Sequence, residues 1–114
     1  MEEISREIVD ILQCHIDATI IPTILHKLIG YQYVTCPEKG RYIRWISLSK
    51  KTVLTNGGIV LDIKDSNYII CKNNIGKIIQ LTMNNSIVFQ KMTDNELLIL
   101  NAKQLLLHIT TTSS

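Results

Sequence analysis

The residues of this chain with the most chemistry in them are three cysteines and three histidines: Cys14, Cys36, Cys71, His15, His26 and His108. Thiolate and imidazole are zinc ligands and nucleophiles, but a zinc site announces itself in a sequence by short spacings such as C-x₂-C or H-x₃-H. None of the six stands in such a pair. Cys14 and His15 are adjacent, yet neighbours on a helix point in different directions. The histidines are isolated, and all fall on predicted helices. Ordinary buried or half-exposed thiols account for the cysteines. Their odd number and wide spacing imply no disulfide framework and favour a reducing compartment. No phosphate-binding or nucleophile-elbow motif occurs. Gly57-Gly58 is followed by a β-run and not by the helix start a phosphate loop needs, so the pair reads as a hairpin turn. Asp62 and Asp65 flank a turn, where Asp is common for backbone reasons. These features point away from an enzyme and imply no cofactor, metal or small-molecule substrate.

The clearest binding chemistry lies in a basic segment. Residues 38–51 contain Lys39, Arg41, Arg44, Lys50 and Lys51 against Glu38, a net of +4. Tyr42 and Trp45 are interleaved with them. Cations beside exposed rings suit a single strand or an RNA, charge for phosphate and rings for stacking. On a strand Ile43 and Trp45 share one face and Tyr42 and Arg44 the other. Trp45 therefore belongs to the core, and a nucleic-acid surface would comprise Lys39, Arg41, Tyr42, Arg44, Lys50 and Lys51. The overall charge of +2 does not by itself imply a nucleic-acid partner. An aromatic cage for a methylated lysine needs several converging rings, and only Tyr42 and Tyr68 are free for one.

These residues are positioned by a succession of short apolar runs at 41–48, 53–63, 68–72, 78–83 and 86–91, separated by Asn-, Gly- and Asp-rich turns. Evenly spaced short strands with such turns predict a small β-sheet or barrel. Within 59–63 the odd positions read as inward and Asp62 as outward. Residues 31–36 are also strand-like, and 37–40 form a turn. Before the strands, Ile4, Ile8, Ile11, Leu12 and Ile16 recur at helical spacing over 2–17. Pro22 starts a second helix that Gly30 ends near Ile29. After the strands, Thr93 and Glu96 have the spacing of a capping box for a helix over about 94–109. Leu98, Ala102, Leu105, Leu106 and Ile109 form its stripe, with Leu97, Ile99, Leu100 and Leu107 largely off it.

The expected fold is α+β: a small five-stranded antiparallel SH3-like barrel with two N-terminal helices and one C-terminal helix. The alternative is an open antiparallel sheet with all helices on one face. The chain reads as a single domain of 114 residues, with a helical extension at 1–30, the barrel at 38–92 and the last helix at 93–110. A content of 46% apolar and 19% charged residues places it among globular chains. Twenty isoleucines against two alanines, with many Asn and Lys, fit an AT-rich genome. The start of the chain is acidic and lacks a signal peptide's basic region. Residues 18–29 are too short and too interrupted to span a bilayer. An intracellular protein, or one packaged in a larger particle, is expected.

The phrase Arg41-Tyr42-Ile43-Arg44-Trp45-Ile46, followed by Leu54, Gly57-Gly58, Val60, Tyr68-Ile69, Lys72-Asn73 and Ile87-Val88-Phe89, resembles small uncharacterised proteins of nucleocytoplasmic large DNA viruses. The resemblance covers about 41–90 and carries no functional residues. It implies a viral accessory or virion component. The other functional signal is apolar helix surface beyond what one core contact uses: Ile4, Ile8 and Ile11 on the first helix, Leu97, Leu100 and Leu107 on the last. The acidic first helix and the basic segment are of opposite sign, which adds a route to contact between copies. The leading expectation is a non-enzymatic interaction or structural module that self-associates or docks in a larger assembly through these faces. Nucleic-acid binding by the basic segment is the alternative.

Overall fold

The structure, a computed structural model, describes residues 6–50 and 53–112, with side chains described as far as 106. Two helices, α1 (Arg6–His15) and α2 (Ile21–Lys27), precede six strands: β1 (Tyr31–Val34), β2 (Tyr42–Ser47), β3 (Gly58–Lys64), β4 (Tyr68–Lys72), β5 (Ile78–Thr82) and β6 (Ser86–Lys91). A single 3₁₀ turn (Met83–Asn85) joins β5 to β6, and α3 (Asp94–Thr112) follows. The strands form one antiparallel sheet in the order β1-β6-β2-β3-β4-β5.

The turns form for local reasons. Asp65 and Ser66 both sit at φ 55°, left-handed positions in the three-residue turn that brings Lys64 opposite Tyr68, and Asn67 N donates to Lys64 O at 3.1 Å. Between β4 and β5 the Asn73 side chain accepts from the amides of Ile75 and Lys77. An Asx turn of this kind stands in for backbone pairing. At the head of α3, Thr93 N donates to Glu96 Oε1 (2.8 Å) and Glu96 N to Thr93 Oγ1 (3.1 Å). The predicted capping box is therefore formed.

The closed five-stranded barrel is not. A barrel of β2 to β6 would close by pairing β5 with β6. The free side of β6 is instead taken by β1, from Tyr31↔Lys91 to Val34↔Val88. Among the described residues that leaves β5 with β4 as its only neighbouring strand and the sheet open. The strand-like segment at 31–36 supplies the sixth strand.

The sheet buries residues on both faces. On one, α1 and α2 place Ile8, Leu12, Ile16, Ile24 and Leu28 against Ile46, Leu54, Ile87 and Phe89. Tyr33 meets Phe89 edge-on, ring centroids 6.3 Å apart. On the other, the sheet curls on itself around Ile43, Trp45, Val60, Ile69, Cys71, Leu81 and Val88. Trp45 is core, as its alternation predicted. The one buried polar side chain in the described core, Gln90, accepts from Glu38 N at 2.9 Å.

Over 59–61 the inward face is the reverse of that expected. Val60 is buried, while Ile59 and Leu61 are nearly half exposed. The register shifts between Val60 and Asp62, a β-bulge that brings Ile63 back to the inner face opposite Ile69. The Gly57-Gly58 pair is not a hairpin turn either. Leu54 bridges Ile46 and Gly58 pairs with Ile43, so three residues face two: a second bulge, with Gly57 at φ 89° as its left-handed residue.

Candidate interaction surfaces

The basic segment comes together in space, but its side chains are used within the fold. Arg41 lies on the loop entering β2 with only 18% of its side chain exposed. Its guanidinium pairs with Glu96 on α3, with Glu38 at 3.5 Å, and donates to Lys91 O at 2.7 Å. Lys39 pairs with Asp62 at 3.1 Å. Arg44 donates Nε to Thr55 O (2.8 Å) and Nη1 to Lys27 O (3.2 Å), tying β2 to the bulge and to the end of α2. The Tyr42 hydroxyl donates to Asn56 O at 2.5 Å. Tyr42 and Arg44 thus clamp the bulged segment. Of the remaining cations Lys50 is exposed, and Lys51 lies outside the described residues. No aromatic cage forms from Tyr42 and Tyr68. They are anchored to β3 opposite Ile59 and Lys64, five residues or roughly 16 Å apart along the strand.

Two of the carboxylates, Asp62 and Glu96, are held ionised. The Lys39 ammonium, with help from the Ile63 amide, keeps the Asp62 carboxyl below its ordinary value. The Thr93 amide, and then the Arg41 guanidinium, do the same for Glu96. A carboxyl whose folded pKa is depressed adds stability above its ordinary value, near 4.5 for Glu96, and loses it as pH falls through the folded value. Glu96→Ala removes cap and ion pair together. It is expected to lower stability at pH 7 by about 1–2 kcal/mol, given typical caps and partly exposed ion pairs. The difference from the parent should shrink as pH drops below 4.5, read as thermal midpoints of both proteins from pH 7 to pH 3.

The thiols do not meet. Cys14 and Cys36 are exposed, and Cys71 is buried, its pKa pushed up to about 11 by burial. Among the described residues no three His, Cys, Asp or Glu side chains gather at metal-binding distance.

The helix faces do not divide as their sequence spacing predicts. Ile8 is fully buried in the domain's own core, and Ile11 packs at its edge. Their surface is already covered because α1 lies on the sheet. Ile4 lies outside the described residues, as does the Leu107 side chain. Leu97 and Leu100 are half-buried. The pairing of Glu96 with Arg41 and Gln32 sets the rotation of α3. Glu96, Leu100 and Lys103, spaced four and three, then face a cleft of about 280 Å³ floored by Gln32, Tyr33 and Met92. Leu98, Ala102 and Leu105 have the same spacing on the other side. Leu98 is 68% exposed, Leu105 59% and the flanking Leu106 62%. As far as the described side chains reach, the stripe visible in the sequence is thus the outward face, and Leu97 and Leu100 are on the inward one. A single sequence shows both sets of apolar positions but not which one Glu96 turns toward Arg41.

Other exposed apolar residues lie on the sheet. The helices cover only its β1-β6-β2 half, and beyond them Ile59, Leu61, Tyr68 and Ile78 remain open. No known protein family, curated protein or solved structure gives a significant match to the chain. No described helix is long and apolar enough to cross a membrane.

Proposed function

We propose that this chain is a non-enzymatic interaction or structural module that self-associates, or docks in a larger assembly, through the outward face of α3. The observation that supports it is the stripe of Leu98, Ala102, Leu105 and Leu106 on a 19-residue helix that turns its other side to the domain. A helix with a wide open apolar face is a docking element. Its α3 also extends the molecule: the radius of gyration is 15.2 Å, against about 13 Å for a compact domain of this length. Burying the open part of each leucine contributes roughly 1–2 kcal/mol. Association costs about 4–15 kcal/mol. The stripe therefore supports a weak pairwise contact that becomes strong where copies are held at several points. The resemblance at 41–90 to proteins of large DNA viruses fits that setting, a component of a packaged particle made in a reducing compartment. The curled sheet is compatible with a small-barrel-like binding module. The test is the assembly state of the chain with and without charged residues in the stripe.

Nucleic-acid binding is the second reading, and the pairing of Lys39, Arg41, Arg44 and Tyr42 within the fold weakens it. Labelled single-stranded DNA and RNA are expected to show no mobility shift at low salt. Retardation that weakens steeply with added salt would restore that reading.

A further inference from the structure

The open edge of the sheet has a geometry of its own. Asn73 N donates to Lys77 O, and Met83 N to Asn67 O. These two bonds bracket the β4–β5 ladder, and alternation along it turns the backbone groups of Ile79 and Leu81 toward β4. The N–H and C=O groups of Ile78, Gln80 and Thr82 then face the side on which β5 has no neighbouring strand among the described residues. The strand Ile78–Thr82 contains no charge, no proline and no register shift, the devices that normally blunt an edge. The other edge is guarded differently. β1 lies between α1 and α3, whose Glu7, Ile99 and Lys103 wall the cleft over Gln32 and Tyr33.

We infer that β5 is a contact between copies of this chain, two β5 strands pairing antiparallel about a two-fold axis at Gln80. The register is self-complementary. Gln80 falls opposite Gln80 of the second copy, and Ile78 opposite its Thr82. All three are then hydrogen-bonded pairs, and every outward backbone group of both strands finds a partner. On the inner face Ile79 meets Leu81 of the other copy. Both side chains already pack in or against the core around Trp45 and Val88, so the pairing continues that core across the axis. On the outer face the two Gln80 amides meet. Like charges are kept apart: Lys77 falls opposite Met83 of the second copy. The Gln80–Thr82 end of the strand borders an open cleft of about 290 Å³ that also touches Trp45, Ser47, Asn85 and Ser86.

This contact is independent of α3, and its test separates the two. Amide hydrogen exchange of the full chain is followed as protein concentration rises. The amides of Ile78, Gln80 and Thr82 should gain protection with concentration, while those of Ile79 and Leu81 stay protected throughout. With the α3 stripe silenced by Leu98→Glu and Leu105→Glu, sedimentation should still show two copies. In that background Gln80→Pro, which deletes the central N–H from each strand, should weaken pairing about tenfold or more. Gln80→Lys, which does not touch the ladder to β4, should do likewise. Fast exchange at Ile78, Gln80 and Thr82 at every concentration would overturn the inference. So would an unchanged mass in the Gln80→Lys variant, or protection that appears only when an unrelated extended peptide is added.

Discussion

Gly57→Ala is expected to lower stability by about 3 kcal/mol or more, a large share of what a domain of this size has. A Cβ there would stand 2.1 Å from the Ile43 carbonyl oxygen, 2.9 Å from Tyr42 Cε1 and 3.0 Å from Arg44 Cγ. The first of these is backbone of the paired strand and cannot swing aside. The residue also holds φ 89°, which alone costs an L-residue roughly 1–2 kcal/mol. Gly40 separates the two effects, because it too has a positive φ, 83°, but nothing lies within 4 Å of its Cβ position. Gly40→Ala should therefore cost only the backbone part, about 1–2 kcal/mol. Urea unfolding of the two variants measures the gap. Equal losses would mean that the bulge is not the tight crossing described. The same crossing explains Tyr42 and Arg44. Their outward position on β2 suggested a nucleic-acid surface, but their side chains span the bulge and donate to the carbonyls of Asn56 and Thr55.

The second large effect concerns assembly. Leu98→Glu with Leu105→Glu is expected to weaken any α3-mediated association by about a hundredfold or more, since a symmetric contact would then bury four carboxylates. Both residues are well over half exposed, so folding should be nearly unaffected. The pair Leu97→Glu and Leu100→Glu is the informative contrast. Those side chains are half-buried on the domain side, and the same charges there should cost stability. Circular dichroism melts of the two double variants, run beside their sedimentation, show which face is which.

Much of the fold is legible in the residues. The runs at 68–72 and 86–91 coincide with β4 and β6, and Thr93 with Glu96 marks the start of α3 at Asp94. Trp45 is core because alternation places it with Ile43. What was not legible depends on long-range pairing. Whether β6 takes β1 or β5 as its outer neighbour turns on pairing with residues 54 to 60 positions away, and it decides barrel against open sheet. The bulge between Val60 and Asp62 breaks the alternation, so that Ile63 faces inward while Ile59 and Leu61, which a strict period of two puts on the same face, lie outward. For the interaction surface, the sequence displays the apolar stripe of α3 plainly. Its outward direction follows only from Arg41 meeting Glu96 across 55 residues.

The central claim is that α3 turns its stripe outward to be covered by protein. Sedimentation equilibrium of the full chain, 13.0 kDa per copy, beside its Leu98→Glu/Leu105→Glu variant tests it most directly. The account predicts that the parent sediments as an assembly larger than the variant by at least one copy, over the same concentration range. The same mass for both, with the parent capturing no partner that the variant fails to capture, would contradict it.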